Sequence, residues 1–487
     1  MAISITEKKT DFSAKDLSVF PHVLVLMPKA KALPSVPGLD ALKAALKRRE
    51  AKIAELAKSP VAVEIGGTLL AYAMVDGQAQ TFERHTQIRK AWECLASEKP
   101  ESAAVVIIGD ADFRKQTGHD AAYVLAVNAQ PLPAHKSKAT AKALKKAVLF
   151  GVSGCGVNEA QAIAEGNTLT RSLTVLPPNE LTPGEYRKRI KALAKTYGWS
   201  VEEYGFDKLK KMGAGAFCAV AQGSPARDAA IVHIKWEGGR EKGEGKKKKI
   251  ALVGKGICFD TGGHNLKPAK YMHGMHEDMN GSAVVLGIMA AASKLKLPVA
   301  IDGWLALAEN HISPQAYRQN EVVKALNGTT IEVMHTDAEG RMVLADTLTL
   351  ASKGKPDLVA DFATLTGSMH NALGSRMSGI FATSSELAHQ ASRAATASGE
   401  RLVVFPYPED YDSSLDSTIA DVKQCTLEGG ADHILATRFL SRFVGGAQWL
   451  HMDLSASACK GGLGAVSGEQ TGFGVAWGVA LLEAMRN

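Results

Sequence analysis

The sequence predicts an α/β protein of two domains, the C-terminal one built on a largely parallel, mixed sheet flanked by helices. Three observations carry that prediction. Apolar strand-like runs alternate with helix-like runs, most regularly after residue 250, and such alternation implies parallel strands covered on both faces. Glycine is abundant, 46 of 487 residues, as many tight strand-to-helix turns require. The length itself calls for two to four domains of about 100–200 residues each.

Composition narrows the class further. With 46% hydrophobic and 22% charged residues, the chain is neither disordered, nor collagen-like, nor a coiled coil. The net charge of +7 is a mild excess; it permits weak attraction to nucleic acid or anionic surfaces without demanding it. Six cysteines (94, 155, 218, 258, 425, 459) lie far apart with no CxxC pair, as reduced thiols of a cytoplasmic protein would. The N-terminus has no apolar signal core, and no apolar run approaches the ~18–20 residues of a membrane span, so no membrane partner is expected.

Along the first 150 residues, His22–Met27 and Ala103–Ile108 are predicted strands, and Leu39–Lys58, rich in Ala, Lys and Glu, a helix. Basic residues gather at Lys43, Lys47, Arg48, Arg49 and Lys52, and again at Lys136, Lys138, Lys142, Lys145 and Lys146. They suit a solvated helix face or a phosphate-binding face. No catalytic constellation occurs in this half. Residues 157–175 read as one connecting helix, stopped by Pro177-Pro178. The expected division is therefore an N-terminal domain over 1–160, a connector over 161–176 and a catalytic domain over 177–487. Gly238–Lys249, GGREKGEGKKKK, falls between the predicted strands Ala229–Trp236 and Ile250–Gly254 and suggests an exposed hairpin loop. Further on come a helix over Gly281–Leu295, strands over Val299–Ala308 and Thr330–Met334, a helix over Glu339–Ser352, and a strand over Asp357–Phe362 with a turn at Thr364–Gly367. In such a sheet, functional groups gather beyond the C-terminal strand ends.

Three segments place polar residues there: Val253–Gly263 (VGKGICFDTGG) continuing to Leu266-Lys267-Pro268, His276–Gly281 (HEDMNG), and His335–Arg341 (HTDAEGR). Together they offer Asp260, Asp278, Asp337 and Glu339, with Lys255, Lys267 and Arg341. Four carboxylates converging on one face would repel in a partly dry site. Two divalent cations about 3.5–4 Å apart would neutralise them and activate a water. Oxygen ligation suits Mg, Mn or Co, and Zn also accepts carboxylates. Blander readings stand beside this one. Thr336 and Glu339 match a capping box at a helix start. Gly254-x-Gly256 lacks the third glycine of a dinucleotide fingerprint. His273 and His276 before Asp278 could form a His₂-Asp metal site or be exposed loop residues. Asp453, after His451 at a strand end, reads as structural. The absence of P-loop, GxSxG and HExxH signatures lowers the corresponding classes.

The combination KGICFDTGG, LKP, the Asp278 segment and TDAEGR, at these separations, resembles the leucyl aminopeptidase family, the two-metal cytosolic aminopeptidases. Leu176–Pro183, Met212–Ser224, Tyr317-Arg318, Ala345-Asp346 and Ala363–Gly367 extend the likeness over about residues 165–480. The resemblance implies a metallo-exopeptidase with a variable N-terminal α/β domain. It implies two metal ions, Mn or Zn foremost and Co or Mg otherwise. Lys255, Asp260, Asp278 and Glu339 would hold one; Asp260, Asp337 and Glu339 the other. Lys267 would polarise the scissile carbonyl, and Arg341 would bind a bicarbonate-like anion that takes a proton from the metal-activated water. The free α-amine of a peptide substrate would bind at the Lys255–Asp278 metal, restricting cleavage to N-termini. Met275, Thr364 and Gly367 would line an apolar pocket suited to Leu or Met. Homohexamers, as two trimers, are implied as well. Three departures from the family pattern stand out: His335 where Asn is common, the polar pair His264-Asn265, and Gly461–Gly472 in place of the usual ending. Two other classes compete. A DNA-binding regulator on the same fold would use the lysine clusters, and another two-metal amidase or phosphoesterase would use the same carboxylates.

Overall fold

The computed structural model describes residues 3–138, 142–239 and 247–485. The chain forms two compact units. The first comprises Met1–Thr168, Thr396–Glu400 and Cys459–Thr471, and the second the remainder.

In the first unit a six-stranded sheet is built from β1 (Ser4–Lys8), β2 (His22–Pro28), β3 (Val61–Ile65), β4 (Thr68–Val75), β5 (Ser102–Ile107) and β6 (Lys146–Phe150), in the order β1-β6-β5-β2-β4-β3. All neighbours are parallel except β3 and β4. Val23 to Met27 are wholly buried, as the unbroken apolar run of a doubly covered strand requires. The helix predicted to reach Lys58 stops at Arg48. Glu50 turns the chain at φ 52°, and a short 3₁₀ segment, Ile53–Ala57, follows and buries Leu56 and Ala57. Two of the late-returning residues are held firmly: the Arg89 Nε donates to the Gly464 carbonyl at 2.8 Å and the Asn128 Nδ2 to the Ala465 carbonyl at 2.7 Å.

The second unit centres on an eight-stranded mixed sheet of β7 (Ser200–Gly205), β8 (Ala230–Trp236), β9 (Lys249–Asp260), β10 (Ala300–Asn310), β13 (Leu358–Ala363), β14 (Ser378–Ala382), β15 (Leu402–Val404) and β17 (Trp449–Asp453). Their order is β15-β14-β17-β13-β9-β10-β8-β7. The four central strands, β17, β13, β9 and β10, are mutually parallel. A small sheet of β11 (Val322–Lys324), β12 (Thr330–Glu332) and β16 (Val422–Lys423) lies apart from it. The hairpin expected between β8 and β9 does not exist. β10 lies between those strands, antiparallel to β8 and parallel to β9, so β8 and β9 do not pair with each other. Residues 240–246 of the Gly238–Lys249 segment lie outside the described residues.

The helices Asn280–Leu295 and Glu339–Lys353 contact β9 and are buried along most of their lengths. Small residues permit the first to come close: a Cβ on Gly281 would lie 2.1 Å from the Phe362 carbonyl oxygen of β13. The second carries a buried acid at Asp346. Its carboxylate accepts from the Phe217 amide at 2.8 Å and the Leu326 amide at 2.7 Å. Burial pushes its pKa up to about 6, against the pull of those donors. Asp346→Ala strands both donors, so a loss on the order of 3 kcal/mol is expected, read as a lower Tm by calorimetry. An unchanged Tm would show that the two amides find other acceptors.

Candidate active site

The polar residues singled out in the sequence meet at the C-terminal ends of the central strands. Asp260 ends β9, Asn310 ends β10, Thr364–Gly367 follow β13 and Asp453 ends β17. Asp278 comes from the turn before the helix Asn280–Leu295, and Glu339 is the first residue of the next buried helix. All of them except Asn310 line one cavity of about 910 Å³, with Lys255, Lys267, Asp337, Arg341 and Met275.

Two lysines divide the carboxylates between them. The buried Lys255 Nζ lies 2.9 Å from Asp278 Oδ2 and 2.8 Å from Glu339 Oε1, and donates to the Thr364 carbonyl at 2.9 Å. Lys267 Nζ lies 2.9 Å from Asp260 Oδ2 and touches Asp337 Oδ1. Four carboxylates against two ammonium groups leave an excess of two negative charges. Burial, reinforced by the neighbouring acids, pushes Asp278 up to about 8 and Asp337 up to about 7. Burial opposes the charge of both lysines, but the surrounding acids outweigh it and raise their pKa values.

Local geometry explains why these loops have their sequences. Gly262 has φ +86°, and a Cβ there would lie 2.5 Å from the Asn265 carbonyl oxygen. Glycine lets the loop double back so that Lys267 returns to Asp260. A Cβ on Gly340 would lie 2.8 Å from Lys255 Nζ, so the helix start must be bare for the lysine to reach Glu339. The capping box expected of Thr336 and Glu339 is not formed. The helix begins at Glu339 with no side-chain cap, while the Thr336 hydroxyl donates to the Gly262 carbonyl at 2.6 Å and accepts from the Asn265 amide at 2.8 Å. Thr336 thus ties two ligand-bearing loops together.

Residues not foreseen as part of the site complete this bracing. The Asn310 Nδ2 donates to Asp260 Oδ1 at 2.8 Å and to the Thr336 carbonyl at 3.0 Å. The Gln424 Oε1 accepts from the amides of Met334 and His335 at 2.8 and 3.1 Å. Asp453, foreseen as structural, orients the Thr364–Gly367 turn by accepting from the Leu365 amide at 3.1 Å and the Thr366 hydroxyl at 2.6 Å. Those partners come from segments with no motif of their own; a lone Asn or Gln carries no sequence signal. His335, half-buried and near Lys267, is pushed down in pKa, and its Nδ1 accepts from the Asp337 amide at 3.2 Å.

The site suits divalent cations. Asp260, Asp337 and Glu339 each offer a ligand atom, all within 4.8 Å of one another. Among the described residues they are the group of such ligands that could share an ion; His273 and His276 do not join it. Asp278 Oδ2 and Asp337 Oδ1 are buried, and each is met only by an ammonium group, Lys255 and Lys267 respectively. Four acids gathered around two lysines are an oxygen-rich cluster that a divalent cation would suit. An added anion at Arg341 fits poorly. The Nη2 of Arg341 donates to both oxygens of Asp432 at 2.8 Å and the Nη1 to the Gln424 carbonyl at 3.1 Å.

Parallel strands ending in a carboxylate–lysine cluster define an α/β domain with a candidate metal site at its strand ends. The catalytic-domain model of the cytosol aminopeptidase family matches residues 168–478, and the chain belongs to that family. Two curated relatives described as "probable cytosol aminopeptidase" are similar. The one from Pseudomonas fluorescens is 42% identical over 334 residues, which are 67% of this chain and 66% of the relative. The one from Azotobacter vinelandii is 42% identical over 330 residues, 66% of this chain and 65% of the relative. The match thus spans just under two thirds of those relatives. Among solved structures, a variant of tomato leucine aminopeptidase superposes with a TM-score of 0.87 at 27% identity, covering 100% of this chain and 97% of its own. The bottromycin maturation enzyme BotP, in complex with Mn, superposes at 0.81 and 29% identity, covering 96% and 100%.

Proposed function

We propose that the chain is a metal-dependent aminopeptidase that removes N-terminal residues, preferably apolar ones of the Leu or Met type, from peptides. One observation carries the reading: four carboxylates and two lysines converge on one cavity, and three of the acids offer ligand atoms within 4.8 Å of one another. Lys255, Asp260, Asp278 and Glu339 would hold one divalent ion, and Asp260, Asp337 and Glu339 a second. Mn or Zn suits the ligands best, with Co or Mg as alternatives. When bound, such a pair would acidify a water and balance the charge of the carboxylates.

The chain's own residues do the rest. Lys267 faces the cavity with its charge sustained by Asp260 and Asp337, and would stabilise the oxyanion of the scissile carbonyl. Asp278, fixed by the Thr364 hydroxyl at 2.7 Å, would position the end of the site that receives the substrate's α-amine. Met275, Thr364 and Gly367 line the same cavity and would take the first side chain. Gly367 has nothing within 4 Å of where a Cβ would lie, which leaves room there. The N-terminal domain, with its exposed basic face at Lys43, Lys47, Arg48 and Arg49, would serve assembly or regulation. No helix among the described residues is long and apolar enough to cross a membrane. A cytoplasmic location is supported by the relatives' names. Homohexameric assembly rests on family likeness, and sedimentation of the purified protein decides it.

Hydrolysis of leucine anilide tests the reading, run after chelation and again after Mn, Co or Zn is restored. Activity is expected to vanish with chelator, return with metal, and be absent on N-acetylated substrate. Cleavage of the acetylated compound would point to an amidase. Inactivity with every metal would favour a DNA-binding role, measured next by salt-titrated binding to duplex DNA.

A further inference from the structure

We propose that Asp432 is a built-in carboxylate of this site, seated on Arg341 where a bicarbonate-like anion would otherwise sit, and that it accepts the proton of the attacking water. This rests on the aminopeptidase reading. The Arg341 side chain is only 3% exposed, so its donors are few and accountable. Nη1 is engaged by the Gln424 carbonyl and Nη2 by both Asp432 oxygens. Nε is left buried and without an acceptor, and Nη1 keeps one further N–H. Guanidinium recognises a planar oxyanion best through two parallel N–H groups. With Nη2 occupied, a free anion has no such pair to bind.

Asp432 is not a sealed counter-ion. Its side chain is 22% exposed and lines the same cavity as Asp337 and Glu339. The backbone is bent to deliver it. Ala431, just before it, lies in the left-handed region at φ 54°, a conformation a non-glycine residue holds only when its surroundings enforce it. Asp432 then opens the helix Asp432–Ser441.

The proposed step is balanced within the site. As the water oxygen bonds to the carbonyl carbon, the water's O–H bond breaks and the proton passes to an Asp432 oxygen. When the C–N bond breaks, the proton passes to the departing amine and Asp432 is again a carboxylate.

The test compares kcat in bicarbonate-free buffer with kcat in millimolar bicarbonate, for the metal-loaded wild type, Asp432→Ala and Asp432→Asn. The wild type is expected to be indifferent to bicarbonate. Asp432→Ala should fall by about a hundredfold and recover at least about tenfold with bicarbonate, the range of general-base catalysis. Asp432→Asn should fall as far but not recover, because its amide still fills the seat. Stimulation of the wild type by bicarbonate would overturn the proposal. So would a folded Asp432→Ala that keeps its kcat or ignores the anion. A merely structural Asp432–Arg341 tie would give loss without rescue. Thermal unfolding supplies a readout apart from activity: bicarbonate should raise the Tm of Asp432→Ala and leave the wild type unmoved. If the wild type cleaves no peptide, the aminopeptidase reading fails, yet this shift still decides who occupies the seat. If Asp432→Ala does not fold, the near-isosteric Asp432→Asn decides, and wild-type kcat in it would overturn the proposal.

Discussion

Asp337→Ala and Glu339→Ala are each expected to abolish peptide hydrolysis and to lower the metal content of the purified protein. Glu339 is 2% exposed and reaches Lys255, while its neighbours Asp260 and Asp337 complete a triad of atoms within 4.8 Å. Removing either acid would take a proposed ligand from the cluster and leave an ammonium group with one carboxylate partner in place of two. The fall in kcat/KM should exceed the roughly 10–100-fold that outer partners of a metal site carry. Metal analysis after desalting and steady-state kinetics would be done on the same preparations. A variant that keeps full metal and full activity would remove the residue from the proposed ligand set.

Lys267→Ala is expected to behave differently. Its side chain is 15% exposed and sits between Asp260 and Asp337. Without its charge the cluster is more negative, so cations should be held at least as well as before. On the proposed role the oxyanion would lose its donor, and kcat should drop by about 10²–10³ with KM little changed. Metal content falling in step with kcat would sink the assignment of Lys267 to carbonyl polarisation and make it a structural partner of the acids.

Much of this architecture was legible in the residues. The strand–helix alternation after residue 250 reflects strands buried on both faces, and β9, β10 and β13 appear near their expected positions. The charged residues of the site were legible because three short segments carry them at fixed offsets in strand-end loops. What escaped was what folding brings from afar. Asp432 pairs with Arg341 across 91 positions, and Asn310 joins Asp260 across 50. Thr336 was misread because a local capping pattern competes with a tertiary acceptor, and the Gly262 carbonyl won. The β8–β9 hairpin was misread because closeness in sequence cannot reveal that a later strand, β10, slots between two earlier ones.

The first unit is completed by residues from near the end of the chain: Arg89 and Asn128 are anchored by the carbonyls of Gly464 and Ala465. That bears on how such a chain could have been assembled in evolution. A gene fusion or crossover at the connecting helix Val157–Thr174 would exchange the leading sheet but leave its late-returning segment behind, mismatched. Swapped N-terminal units therefore need the 459–471 segment to travel with them, so the two stretches are inherited as one unit although most of the second unit lies between them in the chain.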